Sequence, residues 1–466
     1  MLFVQATFLI FFAIVFLVYW SLPKLVLRKL FLLAASYTFY AAWDARFLTL
    51  IIGCTLINYW LGALIARSDK VSTRRSLLTL AVVANMGVLC IFKYLNFFAS
   101  SFVALAAWLG VEVSYTTLNI VLPVGISFYL FQTTSYVIDI YREKIRPCDR
   151  LLDFSVYVAF FPQLIAGPIV RASEFLPQLG RNLDLRDVHI RFYLFLFAVG
   201  FVKKACIADN LAVHADPVFA DVGAYTAYTQ WLAALIYTVQ LYCDFSGYSD
   251  MAIALAGLLG FKLPLNFFFP YFSPNLGEFW RRWHITLSTW LRDYVYFPLG
   301  GSRGSEAMTY RNLMITFGLN GLWHGAAFGY IFWGLGNGLG VVVYRFWTKS
   351  GLDRLVVIPH VVAVAMVFIF IVLVRVPFRT PDLASAGDMY GIMFGLMTPG
   401  SLTIQAPIEA ALVSLAVIHW FFYRFPVEDF IKSLPRVAFA GGMGVVIAFA
   451  IGLLPIGYSP FIYFQF

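Results

Sequence analysis

Six histidines, His189, His214, His284, His324, His360 and His419, are the side chains of this sequence best suited to move a proton near neutral pH, since an unperturbed imidazole titrates at about 6.5. His189 and His214 stand among Asp184, Arg186, Asp187 and Asp216, which reads as a solvated loop, and His360 and His419 lie near the ends of apolar runs. His324 differs from all four. It sits inside Leu313 to Phe328, a stretch without Asp, Glu, Lys or Arg, where an ionisable group marks a functional site by default. The bland alternative is a histidine bonded to a neighbouring helix. A neutral imidazole there is a general base for a hydroxyl attacking an acyl carbon. Gly321, Gly325 and Gly329 recur at intervals of four, which predicts one helix face bare of side chains, closely packed, with a narrow space beside the ring.

The second histidine of interest lies in NLGEFWRRWHITLSTWLRDYVYFPLGG, Asn275 to Gly301. Trp280, Trp283, Leu287, Leu291 and Tyr294 fall at three- and four-residue spacing beside a polar stripe of Arg281, His284, Ser288 and Arg292, so the pattern predicts one amphipathic helix. Glu278 precedes Arg282 by four residues, the favourable orientation for a helical ion pair. A helix with Trp on one side and Arg on the other suits a membrane interface, either as an anchor or with a face toward an anionic or polar substrate.

Two more segments combine polar residues with apolar surroundings. In DFSGYSD, Asp244 to Asp250, the carboxylates need partners, and the run reads either as an interface loop or as part of a functional wall. In FFPQLIAGPIVR, Phe160 to Arg171, Pro162 and Pro168 break a helix. Broken backbone at membrane depth survives only when buried in protein or lining a wet cavity, so this segment is expected to help line one. No GxSxG, HExxH or Walker loop is present, which leaves a serine hydrolase, a zinc peptidase and a P-loop ATPase unsupported. Cys54, Cys90, Cys148, Cys206 and Cys243 show no CxxC spacing and are assigned to packing, with no metal site.

The elements that must hold these residues belong to a membrane protein. Of 466 residues 61% are hydrophobic and only 12% charged, and the mean hydropathy is +0.81, whereas soluble domains carry about 25% charged residues. Apolar runs recur from Leu2 to Leu454 and predict about eleven to thirteen spans, some too short to cross fully, so that re-entrant pieces are expected. The first run, Leu2 to Trp20, has no basic residue before it and no small-residue cleavage site after it, and reads as a retained helix. Lys24, Arg28 and Lys29, then Arg67, Lys70, Arg74 and Arg75, then Arg142, Lys144, Arg146 and Arg150 punctuate the spans in the positive-inside manner, placing these loops in the cytoplasm and the N-terminus outside. The net charge of +9 is thus dispersed among loops and does not imply nucleic acid. No low-complexity linker divides the chain, and the reading is a single all-α polytopic transmembrane domain over residues 1–466.

VLPVGISFYLFQTTSYVIDIYR at Val121 to Arg142, FFPQLIAGPIVR, YCDFSGYSDMAIALAGLLGF from Tyr242, the Asn275 block, GLWHGA at Gly321 to Ala326 and the closing PFIYFQF together resemble the membrane-bound O-acyltransferase (MBOAT) family, in its bacterial alginate O-acetyltransferase-like branch. The resemblance implies helices around a thinned central tunnel. It implies His324 as the catalytic residue and His284 as its polar companion, approaching from the cytoplasmic side. Arg281, Arg282, Asp250 and Trp323 join them as substrate-binding candidates, with Arg292 a further charge suited to coenzyme A phosphates. The implied donor is cytoplasmic acetyl-CoA, with no permanently bound cofactor. The implied location is the bacterial inner membrane, among lipids, with a periplasmic SGNH-type acetyltransferase as partner and a polysaccharide such as alginate, cellulose or peptidoglycan as acceptor. Cys243, where the pattern has an aromatic residue, weakens the choice among these glycans. The alternatives are a D-alanyl transferase for teichoic acid and a transporter or flippase, which would also use broken helices near the midplane.

Overall fold

A computed structural model describes residues 1–118, 120–405 and 407–455, so the closing PFIYFQF lies outside the described residues. The described residues are helical throughout, apart from loops and one isolated bridge between Tyr225 and Leu402. They form two compact units, Met1–Tyr193 with Ala252–Pro264, and Leu194–Met251 with the described residues from Leu265 onward.

Among the described residues three helical stretches are long and apolar enough to cross a membrane, Leu25–Arg67, Val71–Trp108 and His360–Arg379, and a fourth results if Ile408–Arg424 and Val427–Ser433, bent by 74°, count as one. Ala6–Ser21 and Arg436–Gly452 are shorter apolar helices. This is fewer than the sequence pattern predicts, because Leu25–Arg67 joins two of the apolar runs, the first and last described helices are short, and the run Leu313 to Phe328 breaks after His324. The Val71–Trp108 stretch exposes Leu80, Val83, Ile91, Phe98, Phe102, Leu105 and Trp108, a surface suited to lipid and costly in water.

In the first unit Arg28, Lys29 and Arg74, expected in loops, lie in the first turns of the helices Leu25–Asp44 and Val71–Leu89 and are tied by contacts that sequence spacing alone cannot specify. Lys29 Nζ lies 2.7 Å from Asp153, Arg74 Nη1 lies 2.6 Å from Glu143, and Arg28 donates to the Leu183 carbonyl at 2.8 Å. Deeper, Asn58 and Asn85 exchange side-chain hydrogen bonds of 2.9 Å and Asn85 also donates to Thr134 Oγ1, a polar cross-link of the kind that joins helices in lipid. The Phe160 segment is broken as expected, with only Phe161–Leu164 helical before an irregular stretch. It does not form an open wall. Residues 160–170 are all buried, with Phe161 packed on Phe8, Phe11, Phe12 and Phe39, and Phe160 on Phe175 and Phe261. Gly125, at φ 75°, abuts the Leu164 carbonyl so closely that a Cβ could not be accommodated.

In the second unit DFSGYSD is not a loop. It lies within one continuous helix, Ala227–Leu258, which crosses the chain at Gly200 where Gly247 leaves room for direct backbone approach. The π turn Val202–Ala208 then presents two consecutive lysines to the two carboxylates. Lys203 Nζ lies 2.7 Å from Asp250, and Lys204 Nζ lies 2.8 Å from Asp244 and 2.6 Å from Asp209. Compensation of these buried charges keeps the polar run helical. Glu306–His324 and Phe328–Lys349 form an antiparallel hairpin packed through Gly321 and Gly334. The three glycines do not share a helix face, since the helix stops at His324, Gly325 is extended and Gly329 opens the next helix. Each nevertheless meets a neighbour, Tyr330 or Pro377, so close packing accounts for them.

Candidate active site

The predicted amphipathic helix is two short ones, Leu276–Arg282 and Ile285–Leu291, separated at Trp283 and His284. No proline or glycine lies at the break. It is imposed by pairing with another loop, because Phe268 N donates to Arg282 O and Ile285 N donates to Asn266 O, both at 2.9 Å. His284 consequently adopts φ 42° and ψ 54°, a left-handed conformation costing about 1–3 kcal/mol for a non-glycine residue and held only where the surroundings over-determine it.

Asn266 supplies that determination and also fixes the chemistry of the ring. Its Oδ1 accepts from Thr286 N at 3.3 Å and from Thr286 Oγ1 at 2.9 Å, and its Nδ2 donates to Ser249 Oγ at 3.3 Å. A backbone N–H can only donate, so the amide oxygen must face Thr286. The same oxygen is 3.1 Å from His284 Nδ1, which must therefore carry a proton. In the neutral ring the lone pair is then on Nε2. The imidazole is 1% exposed, edge-on to Phe245 at 4.6 Å and to Trp323 at 6.1 Å between centroids.

His324 ends the Glu306–His324 helix, where the carbonyl dipoles favour positive charge should the ring take a proton. It is 5% exposed and is walled by Trp323 at 4.9 Å, Trp333 at 4.9 Å and Phe378 at 5.3 Å, all close to edge-on. Trp323 is thus shared, touching His324 on one side and His284 on the other. The structure therefore gathers His284, His324 and Trp323 into one aromatic-walled centre.

The charged candidates are placed differently. Arg281 is exposed. Arg282 forms the expected ion pair with Glu278 at 2.5 Å and lies over Phe268 and Tyr423. Arg292 pairs with its neighbour Asp293 at 2.8 Å. Asp250 is taken up by Lys203, although the adjacent Ser249 reaches the Asn266 network. His360 is exposed at the start of His360–Val374, while His419 sits among Tyr242, Phe269 and Phe272 at 4.8 to 5.2 Å. Sequence reasoning passed over Asn266, Trp333, Phe378 and Arg375. Only Arg375 carried a usable signal, as a basic residue directly after the apolar run Val356 to Val374.

Residues 149–376 match the family model described as MBOAT, membrane-bound O-acyltransferase family. The chain is 40% identical to the probable alginate O-acetylase AlgI of Pseudomonas putida over all of both chains, and 38% identical to the peptidoglycan O-acetyltransferase of Helicobacter pylori over 79% of this chain and 74% of that protein. Identity falls to 27% against the teichoic acid D-alanyltransferase of Streptococcus thermophilus, over 54% of this chain and 65% of that one.

Proposed function

The chain belongs to the membrane-bound O-acyltransferase family, and on that premise we propose that it moves acetyl groups from acetyl-CoA on the cytoplasmic side to hydroxyls of a polysaccharide outside the bacterial inner membrane. That it is an acyltransferase embedded in a membrane follows from the family and from its apolar helices. Support for acetyl as the group and a glycan as the acceptor comes from the relatives of 38% and 40% identity, which act on peptidoglycan and alginate by name. The D-alanyl reading draws on weaker relationships, of 27% and 28% identity.

The observation that carries the proposal is the pair of buried imidazoles flanking Trp323. In the reaction we assign, His324 accepts the proton of an acceptor hydroxyl as its oxygen bonds to the thioester carbonyl carbon. The carbon–sulfur bond breaks, the sulfur leaves as thiolate, and the proton held by His324 is returned to it. A first transfer to the His324 nitrogen, giving an acetyl-imidazole, is a variant of the same scheme. His284, with its proton held at Nδ1 by Asn266, offers Nε2 to orient a donor or acceptor group. The exposed Arg281 suits the donor's phosphates, Arg282 is a second cation on the same short helix, and Trp323 lies against both rings. A periplasmic SGNH-type acetyltransferase would receive the acetyl group where the final acceptor is a polymer. The test is consumption of acetyl-CoA by purified protein in lipid nanodiscs with alginate or peptidoglycan fragments. Acetyl ester formation, lost in His324→Ala, supports the scheme, and a D-alanyl carrier thioester used in preference to acetyl-CoA would replace it.

A further inference from the structure

Arg375 stands between His360–Val374 and Val376–Arg379 and is 3% exposed. Its guanidinium lies 4.4 Å from the Trp283 ring and 5.4 Å from that of Tyr271. Nη1 donates to Tyr271 Oη at 2.6 Å and to the Thr238 carbonyl at 3.3 Å, while Tyr271 Oη itself donates to that carbonyl at 2.6 Å. Nε and Nη2, which carry three of the five N–H donors of the guanidinium, make no hydrogen bond among the described residues, and no carboxylate pairs with the side chain. The contrast with Lys203 and Lys204 in the same unit is direct, since both have carboxylates within 2.8 Å.

A purely structural clamp would explain Nη1 and the stacked indole. It does not explain a permanently charged fork whose Nε and Nη2 edge, the geometry that grips two oxygens of one anionic group, is left over. The position is also specific. Arg375 stacks on Trp283, the residue before His284, and Phe378, three residues on, packs against His324. One short element thus touches both histidine-bearing segments.

We propose that Arg375 binds an anionic oxygen of the acyl-transfer reaction, either the oxyanion formed at the thioester carbonyl or a phosphate oxygen of the donor. This rests on the acyl-transfer reading of the histidine pair. Held rigid by Tyr271, Thr238 and Trp283, the guanidinium needs no reorganisation when the anion arrives, the condition under which such groups are most effective. The Nε and Nη2 donors take the charge, and no bond of Arg375 itself is made or broken.

The experiment is steady-state kinetics with acetyl-CoA on the full chain in nanodiscs, comparing wild type, Arg375→Lys and Arg375→Ala, with His324→Ala as reference. Arg375→Lys keeps a cation but loses the fork. A fall in kcat of about 100-fold, by analogy with loss of one oxyanion donor, identifies the carbonyl oxyanion. A rise in KM for acetyl-CoA with kcat retained identifies the donor phosphate. In either case guanidinium added to Arg375→Ala restores activity, which a collapsed clamp would not allow. Wild-type kcat and KM in folded Arg375→Lys, or a loss in Arg375→Ala that guanidinium does not restore, overturns the assignment. A fully active His324→Ala would instead remove the acyl-transfer reading on which it stands.

Discussion

The two histidines of the centre are held by different physics. His284 is fixed by polar geometry, in a left-handed backbone position imposed by loop pairing, with Asn266 dictating which nitrogen bears the proton. His324 occupies the last position of a long helix, with three aromatic rings arranged around it. The first arrangement specifies orientation and tautomer, and suits a group that positions something. The second surrounds the ring with apolar bulk and suits the proton exchange proposed for His324. Similar burial therefore does not imply similar duty.

The largest expected separation between them is in turnover. His324→Ala removes the proposed base and should lower acetyl ester formation by on the order of 10³-fold with insertion and folding retained. His284→Ala should cost less, and equal losses in the two variants would erase the distinction drawn here. Asn266→Leu comes next. It strands the Thr286 donors and releases His284 Nδ1, so a loss of about 1–3 kcal/mol in stability is expected together with activity between that of His284→Ala and wild type. Asn266→Asp, which preserves the acceptor, should recover most of both. Thermal unfolding in detergent, paired with the turnover assay, reads these two variants, and a wild-type Asn266→Leu would show that the amide does not set the ring. Arg281→Ala, at the exposed end, should raise KM for acetyl-CoA a few-fold with kcat unchanged, the scale of about 1 kcal/mol for an exposed charge contact. The smallest effect is expected from the exposed His360→Ala, with His419→Ala slightly larger because its ring packs against Tyr242, Phe269 and Phe272. An essential His360 would overturn the ranking.

How much of this was legible beforehand follows a simple line. His324 stood out because an ionisable residue in an apolar run is a local property of the sequence, and the broken Phe160 segment because proline acts locally. The 275–298 region was misread as one helix because its periodicity is sound and its break comes from Asn266 and Phe268, residues whose pairing no spacing reveals. DFSGYSD was read as a possible loop for the converse reason. Its acidity is tolerated in a helix because Lys203 and Lys204, forty or more positions before their partners, meet it across the Gly200–Gly247 crossing. Arg375 escaped notice because a basic residue at the end of an apolar run ordinarily marks a membrane boundary. Its burial beneath Trp283 is a purely tertiary fact.

The most direct test of the central claim is release of coenzyme A from acetyl-CoA by the purified full chain in nanodiscs, measured for wild type and His324→Ala at matched helical content. Acceptor-dependent release by the wild type, with release by His324→Ala at the uncatalysed background, is the predicted result. Equal rates from the two proteins would contradict the account at its centre, since an acyltransferase indifferent to His324 must carry out its chemistry elsewhere.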